Sequence, residues 1–257
     1  MSLSPWLYAL FSASEYAKSI TFLTSILNPS IVNLGVLFSG GKDSTFACYR
    51  AMEKNNVACL ITLISENVDS YMFHTPNIRR TGLQAEAMGI PQLSWHTEGR
   101  KEEELVDLKD AIAAAREKYG IEGIVTGAIE SVYQAARVQR ICRELDLWCF
   151  NPLWQINQVD YLRLLISDGF NIIISGVFAY PFDESWVGAT LTEELVQKLG
   201  QLQKKYKINP SGEGGELETF VLDGPLFKKR IEILKASRTY ENYRGHFIID
   251  DARLVEK

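Results

Sequence analysis

Six consecutive residues, Ser39-Gly40-Gly41-Lys42-Asp43-Ser44, carry the strongest chemical signal in the chain. The apolar run Ile31-Val32-Asn33-Leu34-Gly35-Val36-Leu37-Phe38 precedes them, and Thr45 to Glu53 can continue as a helix. Strand, glycine turn and helix in that order gather backbone N–H groups at a helix N-terminus, an arrangement that holds phosphate oxygens. Gly40 and Gly41 can take the required backbone angles and let a phosphate come close. Lys42 adds a point charge. Asp43 is placed either to hold a magnesium ion or to cap the helix. Two commoner phosphate loops do not fit. A Walker A loop would need glycine at Val36 and Ser or Thr at Asp43, and no third glycine follows Gly41 to complete a dinucleotide fingerprint.

A second constellation lies near the other end. Glu213, Glu216 and Glu218 fall within six residues, among Gly212, Gly214 and Gly215. Carboxylates this crowded repel unless a cation, a donor or a partner offsets them. The segment reads either as an exposed acidic loop or as a tight turn meeting a magnesium ion, an ammonium ion or a basic group of a peptide. Asp183 and Glu184 are a weaker acidic pair. Between the two constellations, Glu66 to Pro76 places Asn67, Ser70 and His74 beside aromatics where a strand ends. In open α/β sheets ligands sit at such ends, so this reads as a binding loop, with capping or packing the plainer account of His74. Arg137, Arg140 and Arg143 repeat every three residues on a helix. They read as a solvated basic face, with Arg137 the exception because it lies one turn after Tyr133.

The elements that must position these residues alternate strand and helix. Expected strands are Val32 to Phe38, Val57 to Ser65, Gln92 to His96, Ile121 to Thr126 and Phe170 to Val177. Expected helices are Asp43 to Asn55, Pro76 to Met88, Glu102 to Tyr119, Ser131 to Leu145 and Gln158 to Asp168. In Glu102 to Tyr119, residues Leu105, Leu108, Ile112, Ala115 and Tyr119 form one apolar stripe. Continuous apolar strands such as Leu60 to Ile64 fit a parallel sheet covered on both faces. After Ala179 the pattern changes to a long turn region, a helix from about Thr192 to Tyr206, and short strands around Phe220 to Leu222, Ile231 to Ala236 and His246 to Asp250. The charged stretch between the last two reads as exposed. The division expected is a helical extension over residues 1–30, a nucleotide-binding domain over 31–179 and a smaller lobe over 180–257.

Composition bounds the rest. The chain has 257 residues, 46% hydrophobic and 23% charged, which is a soluble globular profile. A net charge of −5 gives no general attraction for nucleic acid, so an RNA partner is disfavoured. Cys48, Cys59, Cys142 and Cys149 lack zinc-site spacing and read as free thiols in a reducing cytoplasm. Glu15 and Lys18 interrupt the apolar N-terminal residues before any run reaches the roughly 18 needed to span a membrane. A homo-oligomer is allowed by the sequence and not required by it.

The loop at 39–44 resembles the pyrophosphate loop of the N-type ATP pyrophosphatases, which cleave ATP to AMP and pyrophosphate. Over a longer span the chain resembles the diphthine–ammonia ligase family. The matching segments are LFSGGKDS, ENVDSYMFHTPN, VTGAIESVYQAARVQRICRELDL, NPLW, PFDESWVGATL and NPSGEGGELETFVLDGPLF, from about residue 32 to 235. Residues 1–30 lie outside the resemblance.

The resemblance implies a five-stranded parallel sheet with its first strand central. It also implies conversion of diphthine on translation elongation factor two to diphthamide, using ammonium and ATP with magnesium. Ser39, Gly40, Gly41, Lys42 and Ser44 would bind the departing phosphates, Asp43 the metal, and Ser65 and Gly127 the nucleotide. Asn67, Ser70, His74, Tyr133 and Arg137 would meet the substrate. Glu213, Glu216 and Glu218 would hold ammonium or its proton, or receive the trimethylammonium group of diphthine. No glutaminase module is evident, so ammonia would come free or from a partner. Rival readings are a tRNA-modifying adenylating enzyme and a non-catalytic nucleotide-binding regulator.

Overall fold

The computed structural model describes residues 31–65, 77–99 and 103–257. The expected extension over 1–30, and the loop residues Asn67, Ser70 and His74, lie outside these. Strands and helices alternate through the first part: β1 (Asn33–Leu37), α1 (Lys42–Met52), β2 (Asn56–Ser65), α2 (Thr81–Met88), β3 (Gln92–Thr97), α3 (Glu103–Tyr119), β4 (Gly123–Val125), α4 (Val132–Glu144) and β5 (Trp148–Phe150). The five strands pair in parallel in the order β3-β2-β1-β4-β5. This is the expected parallel sheet with its first strand central. The chain reverses its direction of winding between β1 and β4, so the loops leaving those two strands open a crevice at their carboxyl ends.

The fifth strand corrects one expectation. Phe170 to Val177 was expected to complete the parallel sheet, but Trp148–Phe150 occupies that edge. After α5 (Gln158–Ser167), β6 (Asn171–Val177) enters a second sheet instead. There it pairs antiparallel with β7 (Leu217–Asp223) and β9 (Arg244–Glu256), and β9 pairs with β8 (Lys229–Glu241), giving the order β7-β6-β9-β8. Buried apolar runs such as Ile172 to Ile174 suit either kind of sheet. Three-residue β5 has too little length to show a period. The change of sheet therefore falls between Phe150 and Asn171, ahead of residue 180.

The hairpin β8–β9 is also longer than expected. Its strands continue through the charged stretch and meet at Asn242 and Tyr243, with φ of 49° and 62°. Two successive left-handed residues make the tight turn whose twist matches the flanking strands. On β9, Gly245, Phe247 and Ile249 are buried and alternate with more open neighbours, so the charges belong to the open face of a strand rather than to a loop. Between β6 and β7 in the sequence, α6 (Glu193–Tyr206) is capped by Thr192, whose side chain accepts from the Leu195 N–H at 3.3 Å.

The parallel sheet buries the stripe expected on α3. Leu108, Ala111, Ile112 and Ala115 pack with Cys59, Ile61, Leu63 and Ile124 from the strands and Val138, Ile141 and Cys142 from α4. Residues 33–257 form one compact unit. Phe46 of α1 stacks obliquely on Tyr161 of α5 with centroids 5.4 Å apart, and meets Phe170 at 5.6 Å. Asn77 donates to the Phe247 carbonyl at 2.9 Å and accepts from the Ile249 N–H at 2.7 Å.

Candidate active site

Gly40 has φ of +80°, the left-handed geometry that glycine takes without strain. Its carbonyl accepts from the Gln84 amide at 2.8 Å and from the Val221 N–H at 3.1 Å. The same Gln84 amide donates to the Val221 carbonyl at 2.8 Å, so α2 and β7 grip the turn together. A Cβ at Gly40 would stand 2.3 Å from Gln84 Oε1. The hydroxyls of Ser39 and Ser44 lie 3.2 Å apart across the turn. Gly41 is the N-cap of α1 and supplies no side chain, so the cap position stays open to an external anion.

Asp43 lies in the first turn of α1 and does not cap it. One carboxylate oxygen accepts from Lys42 Nζ at 2.9 Å and the other from the Tyr161 hydroxyl at 3.0 Å. Tyr161 is wholly buried, and burial first, then the Asp43 charge, hold its pKa well above the ordinary tyrosine value. Lys42 is 2% exposed. Its ammonium also donates to the Ser211 carbonyl, and its backbone N–H donates to Thr219 Oγ1 at 3.1 Å. Ser211 is itself fixed by Gln158, whose side-chain oxygen accepts from its N–H at 3.0 Å and its hydroxyl at 2.7 Å. The phosphate-type loop is thus held in place by residues about 170 positions later.

Gly127 follows β4. A Cβ there would fall 2.7 Å from the Asp43 carbonyl carbon and 2.8 Å from the Ser44 nitrogen. The absence of a side chain therefore lets the β4 exit lie against the start of α1.

The three glutamates have three different surroundings. Glu213 Oε1 accepts from the N–H groups of Ile129, Glu130 and Ser131 at 3.0, 2.9 and 2.9 Å. It fills the nest at the N-terminus of α4, where a negative charge is favoured. Glu216 Oε1 accepts from the backbone and the side chain of Asn209, both at 3.0 Å, which closes the glycine turn. Glu218 points into the cleft. Its Oε2 is buried with no hydrogen-bond partner among the described residues. Burial pushes its pKa up to about 8, against the opposing pull of Lys42.

A cleft of about 320 Å³ brings these groups together. Its polar side is Ser39, Gly41 to Ser44, Thr126 to Ala128, Ser131, Gln134, and Ser211 to Gly215 with Glu218 and Thr219. Its apolar side is Leu37, Phe38, Ile61, Leu63, Ile78, Leu108 and Val138. Of the residues singled out in the sequence, Ser39, Gly41, Lys42, Asp43, Ser44, Gly127, Glu213 and Glu218 line it. Gly40 supports it from behind, and neither Ser65 nor Glu216 is in its wall. Tyr133 and Arg137 are not in it either: the guanidinium lies 3.3 Å from the Tyr133 ring centroid, and Arg137 lines a separate hollow with Leu105, Ala136 and Arg140. Gln84, Tyr161, Ser211 and Thr219 were not read from the sequence. Each is an ordinary residue on an ordinary element and gains its role from a contact across the fold.

A glycine turn at a sheet's switch point, opening on one side to an apolar wall and on the other to N–H donors, a lysine and carboxylates, defines an α/β nucleotide-binding protein. Two family models cover most of the chain: the diphthamide synthase N-terminal domain matches residues 32–148 and the diphthamide synthase C-terminal domain matches residues 157–255. The mouse diphthine–ammonia ligase is 38% identical over 225 residues, covering 79% of this chain and 83% of its own. The human one is 37% identical over 223 residues, with 78% and 82% covered. The fission yeast one is 34% identical over 226 residues, covering 81% of this chain and 37% of its own. The chain belongs to the diphthine–ammonia ligase family.

Proposed function

We propose that this chain joins ammonium to the carboxylate of diphthine on translation elongation factor two, giving diphthamide, AMP and pyrophosphate. The observation that carries this reading is the single cleft. It gathers the 39–44 loop, the β4 exit and the 211–219 segment in a chain of this family.

A carboxylate is a poor acyl donor because its leaving group would be oxide. ATP solves this: the diphthine carboxylate attacks the α-phosphorus, pyrophosphate leaves, and the resulting acyl-adenylate carries AMP as a leaving group. The chain's task is then to position and to stabilise charge. Ser39, Gly40, Gly41 and Ser44 hold the departing β- and γ-phosphates at the open N-terminus of α1. Lys42, fixed by the Ser211 carbonyl, offsets their charge. The apolar wall of Leu37, Ile61, Leu63 and Val138 takes the adenine, with Gly127 on the nucleotide's flank.

Magnesium usually takes one or two carboxylates and completes its shell with phosphate and water. Asp43, with its side chain 30% exposed at the cleft, fits that need, and the bound ion would neutralise phosphate charge. Asn67, Ser70 and His74 are assigned to the diphthine side, and Tyr133 and Arg137 to the body of the elongation factor. Among the described residues no helix is long and apolar enough to cross a membrane. We place the reaction in the cytoplasm, without a nucleic-acid partner.

The test is incubation with ATP, ammonium and diphthine-bearing elongation factor two, followed by mass measurement of the modified histidine. Amide formation with stoichiometric AMP and pyrophosphate is expected. ADP and orthophosphate, or turnover that depends on tRNA, would overturn the reading, and nucleotide binding without turnover would favour a regulator. Asp43→Ala should reduce pyrophosphate release by at least about a hundredfold, the usual scale of a lost charge stabiliser.

A further inference from the structure

Two of the three glutamates in the 213–218 segment are already engaged. Glu213 caps the nest before α4 and Glu216 clamps Asn209. Glu218 alone of the three combines a place in the cleft wall with an unpaired buried oxygen: its Oε2 has no partner among the described residues, whereas Glu213, also in the wall, is spent on the nest, and Glu216, whose Oε2 is likewise unpaired, is not in the wall. A buried carboxyl oxygen left without a donor is costly unless a ligand supplies one. The neighbouring residue, Thr219, holds the Lys42 N–H, so β7 places Glu218 beside the phosphate-type loop.

We propose that Glu218 is the ammonium site and the base that converts ammonium to ammonia, a role that rests on the ligase reading above. A proton passes from ammonium to Glu218 Oε2. The freed lone pair forms a C–N bond with the acyl carbon, and the bond from that carbon to the AMP oxygen breaks, AMP leaving with the electron pair. The second nitrogen proton passes to the departing phosphate or to water, and Glu218 returns its own to solvent before the next cycle.

The surroundings select this role over recognition of the trimethylammonium group. A quaternary ammonium has no N–H to satisfy an orphaned oxygen and is held best by several aromatic faces. Among the described residues lining the cleft, Phe38 is the one aromatic. A carboxylate of ordinary pKa would be too weak a base for ammonium, and burial corrects that by raising Glu218 to about 8. Lys42 of α1 is the cation that faces it. Asp43 on the same helical turn is occupied by Lys42 and Tyr161, Glu213 and Glu216 are held as described, and β6 presents Gly176 opposite.

Hydroxylamine separates the base from the rest of the site. It is uncharged near neutral pH and attacks acyl-adenylates without losing a proton first, giving a hydroxamate. Wild-type protein, Glu218→Gln, Glu218→Asp and Glu213→Gln are each supplied with ATP and diphthine-bearing elongation factor two, with either ammonium or hydroxylamine. For Glu218→Gln the hydroxamate-to-amide ratio should rise at least about a hundredfold, the scale of a lost general base. Glu218→Asp should give a smaller rise, and Glu213→Gln should leave the ratio near the wild-type value. A parallel fall of both products in Glu218→Gln, or no change in the ratio, overturns the proposal. Pyrophosphate exchange into ATP is followed with the wild type alongside. Its absence would overturn the ligase reading itself, whereas exchange with an unchanged ratio overturns only the role of Glu218.

Discussion

At Gly127 the space for a side chain is already filled by the backbone of Asp43 and Ser44, at 2.7 and 2.8 Å from where a Cβ would be. Neither neighbour is a flexible tip that could swing aside. Gly127→Ala should cost about 1–3 kcal/mol through overpacking, read as a lower urea midpoint, and should weaken ATP binding because the displaced backbone belongs to the start of α1. Glu218 gives a prediction of opposite character. Its folded pKa of about 8 lies above the ordinary glutamate value of 4.5, so between these values the native state binds more protons than the unfolded one. Stability should therefore fall as pH rises through this window. Glu218→Gln should flatten that slope, and denaturant titrations between pH 5 and pH 9 would measure it. The sequence marked Glu213, Glu216 and Glu218 as a crowded group but could not divide them. The division depends on Ile129 to Ser131, some 80 residues before Glu213, and on the cleft wall, built from distant segments, that encloses Glu218.

Two elements illustrate what periodicity carries and what it does not. The stripe on α3 was legible because burial on one helical face imposes a three-and-four-residue rhythm. The sheet membership of β6 was not, because an apolar strand looks the same whether its neighbours run with it or against it. Gln84 is a case where one side chain joins elements. Its amide serves both the Gly40 and the Val221 carbonyl, so Gln84→Ala would leave two buried acceptors short of a donor. A loss of about 2 kcal/mol is expected, along with weaker ATP binding from a slack turn, measurable by denaturation and calorimetric titration. At α4, Glu213→Ala should cost about 1 kcal/mol, as a lost helix cap does, and should speed amide exchange at Ile129, Glu130 and Ser131.

For residues 33–257 taken whole, the two sheets are tied by polar contacts as well as by the Phe46, Tyr161 and Phe170 rings. Arg80 donates through Nε to the Ile249 carbonyl at 2.9 Å, Asn77 bridges Phe247 and Ile249, and the Lys228 N–H donates to the Ala87 carbonyl at 2.7 Å. Cutting these to separate the sheets would leave buried polar groups unpaired, so the sheets should unfold together. Circular dichroism and tryptophan fluorescence should report one coincident transition over this region, and Asn77→Ala should lower its midpoint, with about 2 kcal/mol lost for two buried bonds. Such ties were not readable beforehand, since each joins residues separated by more than a hundred positions and follows no local rule.

The anchoring of Lys42 by Ser211 and Thr219 bears on how the protein is made. While the ribosome is still assembling the chain, the glycine turn emerges long before its two anchors exist. An unfinished or truncated product would carry the turn with a loose lysine and without Glu218 opposite it. Such fragments would be idle rather than wasteful, so the cell would be spared pointless consumption of ATP by incomplete copies.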